Sequence, residues 1–136
     1  MVAKDDDVEF EAVVRFLVKN GYRNPVRRAL DGVECYEALM GTDEVPKIDG
    51  PCVILMDINM PRMNGLDCVL SLRAEPSLDQ HKIIMLTTSS APKDMIMSYS
   101  LEVDGYVVKE EMDRTLLRIL RDVMPKDHSE AEIVAA

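Results

Sequence analysis

Asp57 closes an apolar run, Cys52-Val53-Ile54-Leu55-Met56, and is followed by Asn59, Pro61 and Gly65. The run is too short for a helix and is bounded by Gly50-Pro51 and Pro61, which predicts a strand buried on both faces, as in a parallel sheet. A carboxylate at the carboxyl end of such a strand lies in the crevice where open α/β sheets place their chemistry. The same stretch reads equally well as a turn, because Asp, Asn, Pro and Gly all favour turns. Three further strand ends supply complementary groups: Asp5 and Asp6 near the amino terminus, Thr87 after Ile83-Ile84-Met85-Leu86, and Lys109 after Gly105-Tyr106-Val107-Val108. Any one of them is an ordinary strand-ending polar residue. Their convergence on one sheet edge is what points to a site.

Carboxylates crowded around Asp57 repel it unless a cation bridges them, and an all-oxygen ligand set suits Mg²⁺. With the metal and the Lys109 ammonium in place, the group that fits beside Asp57 is a phosphoryl. Its oxygens would meet Mg²⁺, Lys109, the Thr87 hydroxyl and the backbone N–H groups of Ile58, Asn59 and Thr88. Asp57 is then the nucleophile, and the product is an acyl phosphate.

The elements that must hold these groups follow from hydrophobic spacing. Phe10, Val13, Val14, Leu17 and Val18 predict a helix that stops at Asn20-Gly21, and Asp31-Gly32-Val33-Glu34 has the form of a capping box opening a second. Gly65 precedes a third helix over 66–74, Pro92 opens a fourth over 93–101, and Leu116, Ile119, Leu120 and Val123 give the last its apolar face up to Pro125. Met1 to Lys4 reads as a short opening strand, 25–30 as a weak edge strand interrupted by Arg27 and Arg28, and 125–136 as a flexible carboxyl-terminal tail. Five strands alternating with five helices predict a doubly wound α/β domain with a parallel sheet, spanning 1–124.

Composition narrows the function classes. With 25 acidic against 16 basic residues the formal charge is −9, which disfavours non-specific nucleic-acid binding. Cys35, Cys52 and Cys68 have no CxxC spacing and read as core thiols rather than a zinc site or a disulfide framework. No apolar run approaches a membrane span, and Lys4-Asp5-Asp6-Asp7 stands where a signal peptide would carry its apolar core, so a cytoplasmic protein is expected. The ten methionines are scattered, as gap-filling core residues are.

Taken together, the early acids, the ILMD-x-N-M-P-x-M-x-G stretch, the strand ending in Thr87 and the late G-Y-V-V-K resemble the receiver domain of two-component response regulators. Asn24-Pro25, the long loop before Pro51 and Leu86-Thr87-Thr88-Ser89-Ser90 look most like the small stand-alone regulators that pair with bacterial phytochromes. The resemblance implies a flavodoxin-like (β/α)5 fold with strand order 2-1-3-4-5. It makes Asp57 the phosphoacceptor, Asp5 a metal ligand beside Asp6 and Asp57, and Asn59 a ligand through its backbone carbonyl. It further makes Thr87 the switch hydroxyl, Tyr106 the aromatic that reports its movement, and Lys109 the phosphate-binding lysine, and it places Asn59 and Ser89 where the family tunes phosphate lifetime. Two positions depart from the pattern. Lys4 stands where the first of the paired acids belongs, which weakens Mg²⁺ binding unless Asp6 restores the pair, and Glu110 replaces the usual proline after Lys109, which permits a trans peptide and a displaced lysine.

The expected function is a phosphorylation-dependent switch that receives its phosphoryl group from a histidine kinase or phosphotransfer protein, the kinase being of phytochrome type by the narrower resemblance. Its output is contact with a downstream protein or relay partner, with a homodimer as the suggested assembly and no nucleic-acid or membrane partner. A degenerate receiver serving as an unphosphorylated scaffold is the alternative, motivated by Lys4 and Glu110. A haloacid-dehalogenase-type phosphatase ranks lower, because Asn59 occupies the place of its second aspartate.

Overall fold

The computed structural model of the chain describes residues 7–44, 46–48, 50–60, 62–124 and 133–135. The strand expected over Met1 to Lys4, and with it Asp5 and Asp6, lies outside the described residues. Five parallel strands form one sheet: β1 (Val26–Arg28), β2 (Val53–Met56), β3 (Lys82–Thr87), β4 (Gly105–Val108) and β5 (Ile133–Ala135). The helices are α1 (Asp7–Lys19), α2 (Gly32–Met40), α3 (Gly65–Arg73), α4 (Pro92–Ser100) and α5 (Met112–Val123).

The period-2 alternation of strand side chains divides the core into two layers. Ile54 and Met56 of β2 pack with Cys35, Leu39, Cys68, Val69 and Leu72 of α2 and α3. Val53 and Leu55, on the opposite face, pack with Val13, Phe16 and Leu17 of α1 and with Leu116 and Leu120 of α5. Every residue of β2 is buried, as a central parallel strand requires. All three cysteines are buried thiols, in line with their reading as core residues.

Strand order is β1-β5-β2-β3-β4. In space this keeps the order 2-1-3-4-5 expected of the flavodoxin-like fold, but the position between the edge strand and the Asp57 strand is held by Ile133–Ala135, a segment the sequence assigns to a frayed tail. Ile133 pairs with both Val26 and Val53, and Val134 with both Arg27 and Ile54. The physical reason is hydrogen-bond accounting. In the described sheet β5 pairs with β1 on one side and with β2 on the other, so it supplies ladder partners to both. Ile133 and Val134 are β-branched and fully buried, and they feed opposite layers of the core.

Local signals account for the helix starts that matter to the site. The Asp31 side chain accepts from Glu34 N–H, the first half of the expected capping box, while the Glu34 carboxylate accepts from N–H of Leu30, one residue before the cap, both at 2.9 Å. Asn64 caps α3 by accepting from Asp67 N–H at 2.9 Å. Gly65 has no alternative, since a Cβ there would run into the Asp57 carbonyl.

Candidate functional site

Asp57 leaves the carboxyl end of β2 and is 4% exposed. The loop that follows is tied down at three points: Gly65 N–H donates to the Ile58 carbonyl at 2.8 Å, Gly32 N–H donates to the Met63 carbonyl at 3.2 Å, and Arg62 forms a two-pronged ion pair with Asp31 at 2.6 and 3.1 Å. The Arg62 arrangement needs a left-handed backbone at φ 61°, an uncommon conformation that the ion pair offsets. Burial raises the Asp31 pKa, but the Arg62 and Glu34 hydrogen bonds outweigh it and hold the carboxyl below its ordinary value. The described residues of the loop below Asp57 are therefore held by hydrogen bonds and an ion pair.

Lys109 follows β4, and its Nζ donates to Asp57 Oδ2 at 2.8 Å. The same nitrogen donates to Glu9 Oε1, also at 2.8 Å. Burial works against the ammonium, yet the bonds to Asp57 and Glu9 prevail and lift the Lys109 pKa above that of an ordinary lysine. Lys109 thus stays charged through neutrality, directed at Asp57 Oδ2. No peptide among the described residues is cis, and Glu110 is the middle residue of a short 3-10 turn over Lys109–Glu111. Lys109 reaches Asp57 with Glu110 in the place after it.

The other expected residues fall into two groups. Asn59 is exposed, and its backbone N–H donates to Asp57 Oδ1 at 3.3 Å. Thr87 ends β3 fully buried, and its Oγ1 accepts from Ser89 N–H at 3.3 Å. Tyr106 is 6% exposed and donates its hydroxyl to the Ser89 carbonyl at 2.9 Å, while Ser89 Oγ bonds Asp94 Oδ2 at 2.5 Å. Burial, with the charges of Asp94 and Asp57, raises the Tyr106 pKa against the lowering effect of its Ser89 bond. Thr87 and Tyr106 are therefore connected through one residue, Ser89, at the start of the segment leading into α4.

Asp5, Asp6 and Lys4 lie outside the described residues, and among the described ones no group of three or more His, Cys, Asp or Glu is arranged to hold a metal. The donors that are described, the Asp57 carboxylate and the Asn59 backbone, are oxygen ligands of the kind Mg²⁺ takes. Glu9 is the participant that strand-end reasoning misses. It sits in the first turn of α1, where an acid has an ordinary explanation in the helix dipole. The available signal was its place on a helix that begins directly above the strand ends.

Against known proteins, residues 1–121 match the family model described as response regulator receiver domain. A chemotaxis protein CheY1 of Helicobacter pylori (strain J99) is 32% identical over 122 residues, covering 86% of this chain and 93% of the relative. The crystal structure of a two-component response regulator from Legionella pneumophila superposes with a TM-score of 0.76 at 28% identity, covering 88% of this chain and 92% of that one. The bacteriophytochrome response regulator RtBRR superposes with a TM-score of 0.75 at 28% identity, covering 88% of this chain and 74% of that one.

Proposed function

We propose that this chain, which belongs to the response regulator receiver domain family, accepts a phosphoryl group on Asp57 from a histidine kinase and thereby changes its protein contacts. The observation that carries the reading is the 2.8 Å bond from Lys109 to a buried Asp57 at the strand ends. An Asp57 oxygen attacks phosphorus, the new O–P bond forms as the P–N bond to the donor histidine breaks, and the electron pair leaves on that nitrogen, which takes up a proton. The Lys109 ammonium offsets the charge of the incoming oxygens, and the N–H of Asn59, already turned toward the Asp57 carboxylate, helps fix its orientation. Mg²⁺, held by Asp57 and the Asn59 backbone with Asp5 and Asp6, would supply further charge neutralisation on the phosphoryl oxygens.

Thr87 and Tyr106 are the switch pair in this reading. A phosphoryl oxygen that accepts the Thr87 O–H and draws it closer moves the Oγ1 that accepts from Ser89 N–H, and Ser89 is the residue whose carbonyl holds the Tyr106 hydroxyl. The readout surface is then the adjoining α4, which exposes Met95, Ile96, Met97 and Tyr99. We place the protein among signalling domains acting on their own phosphorylation state rather than turnover enzymes, in the cytoplasm, with a phytochrome-type kinase suggested by the RtBRR likeness and a homodimer testable by sedimentation at two concentrations. Among the described residues no helix is long and apolar enough to cross a membrane.

Incubation with Mg²⁺ and acetyl phosphate followed by intact mass tests the assignment. One added phosphoryl group on the wild type and none on Asp57→Asn is expected. An adduct retained by Asp57→Asn, or absent from both proteins, refutes it, and the second outcome favours the scaffold alternative motivated by Lys4.

A further inference from the structure

Lys109 has three N–H donors and spends two of them on two different carboxylates, Asp57 Oδ2 and Glu9 Oε1, each at 2.8 Å. The two acids are thus neighbours through a single nitrogen. The Glu9–Lys109 side is walled by Ala12, Val13, Leu86 and Met112, which line one small cavity with them. An apolar wall lowers the local dielectric and strengthens the ion pair, so Glu9 is more than a solvated surface acid. Its side chain is 30% exposed against 16% for Lys109 and 6% for Asp57, which puts it at the mouth of the site.

We infer that Glu9 is a positioning residue that sets the site's affinity for phosphate: it holds the Lys109 ammonium and offsets part of its charge until a phosphoryl group competes for it. The inference deepens the phosphoacceptor reading and rests on it for its physiological meaning, but its electrostatics do not need the transfer step. A dianion approaching Asp57 must share Lys109 with a carboxylate that is already bonded to it and that repels the newcomer. Phosphorylation converts the Asp57 carboxylate into an acyl phosphate whose phosphoryl oxygens carry the negative charge, so Glu9 competes with them for the lysine before and after transfer alike. The charge withheld by Glu9 therefore acts on entry more than on the transfer step. Its effect belongs in the half-saturating donor concentration, not in the saturated rate.

Glu9→Gln keeps the shape and removes the charge. At fixed Mg²⁺ and low ionic strength it is expected to bind inorganic phosphate about fivefold more tightly than wild type, read by amide shifts in an NMR titration, the size expected for one partly exposed ion pair. The half-saturating acetyl phosphate concentration should fall by a similar factor while the saturated rate of adduct formation stays within about twofold, and both differences should shrink at about 1 M salt, where the Debye length is about 3 Å. Glu9→Asp, which keeps the charge on a shorter stem, should fall between the two proteins. Equal phosphate affinity in wild type and Glu9→Gln overturns the inference, as does a gain that salt leaves unchanged. If the wild type binds phosphate but gives no Asp57-dependent adduct, the phosphoacceptor reading fails while the Glu9 inference is still decided by the phosphate titration.

Discussion

Val134→Ala is the perturbation that bears most directly on how this sheet is built. Val134 is fully buried between Arg27 of β1 and Ile54 of β2, and its side chain belongs to the α2–α3 layer of the core. The substitution removes two methyl groups, worth about 1.6 kcal/mol in transfer free energy at about 0.8 kcal/mol each. A central strand pinned on both sides collapses poorly around the gap, and the cavity term brings the expected loss to about 2–3 kcal/mol. For a domain of this size that lowers the urea midpoint by about 1 M, taking a slope of about 2 kcal/mol per M. The matched control is Val18→Ala on α1, where the valine is 55% exposed and the change should stay within about 0.5 kcal/mol. Equilibrium urea unfolding followed by circular dichroism compares the two variants with wild type. If Val134→Ala costs no more than Val18→Ala, the 133–135 segment is not a sheet strand in solution and the reasoning about β5 is wrong.

Three further outcomes follow, two from the site and one from His81 at the amino end of β2. Lys109→Met should slow acetyl phosphate labelling by about 10²–10³-fold, the scale for losing one preorganised charge or donor at a developing anion, and undiminished labelling would show that Lys109 does not serve the phosphoryl group. Tyr106→Phe removes only the bond to the Ser89 carbonyl, so unfolding should cost about 1 kcal/mol and labelling of Asp57 should continue; loss of labelling would contradict a switch role separate from transfer. His81 accepts the Cys52 N–H on Nδ1 at 3.0 Å, and burial, reinforced by the charges of Lys47 and Arg73, depresses its pKa below the ordinary 6.5. Because the unfolded chain then binds the extra proton more readily, stability should fall as pH drops below about 6.5, and His81→Asn, which can still accept from Cys52 but does not titrate, should flatten that fall.

Much of the fold was legible because its signals are local. The buried run of β2, the Asp31 cap of α2, the start of α3 beside Gly65 and the apolar face of α5 all appear where their sequence patterns put them. The pairing of Asp57 with Lys109 was legible too, since both end parallel strands and parallel strands gather their carboxyl ends at one edge. β1 was the weak case because of its arginines; the structure shows one reason they are tolerated, with the Arg28 guanidinium 5.1 Å from the centre of the Phe10 ring. Neither β5 nor Glu9 could be read in the same way. Ile133 and Val134 follow the polar stretch Lys126-Asp127-His128-Ser129-Glu130-Ala131-Glu132, and three residues are too few to show a period. What makes them a strand is the pair of open ladders beside them, and these are contributed by residues about eighty or more positions away. Glu9 presents the opposite difficulty, because the dipole of α1 already explains an acid in its first turn.

These two features act on Asp57 from different distances, and the difference matters for how the site keeps its geometry. The described register of β5 reaches Leu55 on β2 and no further, whereas β3 pairs with β2 through Met56, the residue next to Asp57. Beyond Met56 the chain is held by the Gly65 and Gly32 hydrogen bonds and by the Arg62–Asp31 pair, none of which passes through β5. The carboxyl-terminal strand therefore stabilises the sheet as a whole while the loop clamps and Lys109 orient the carboxylate. Weakening β5 should reduce the fraction of molecules folded more than it alters the chemistry of those that remain folded. A receiver built in this way can tolerate variation in which segment fills its sheet, because the Asp57 carboxylate is oriented by contacts that begin beyond the reach of that strand.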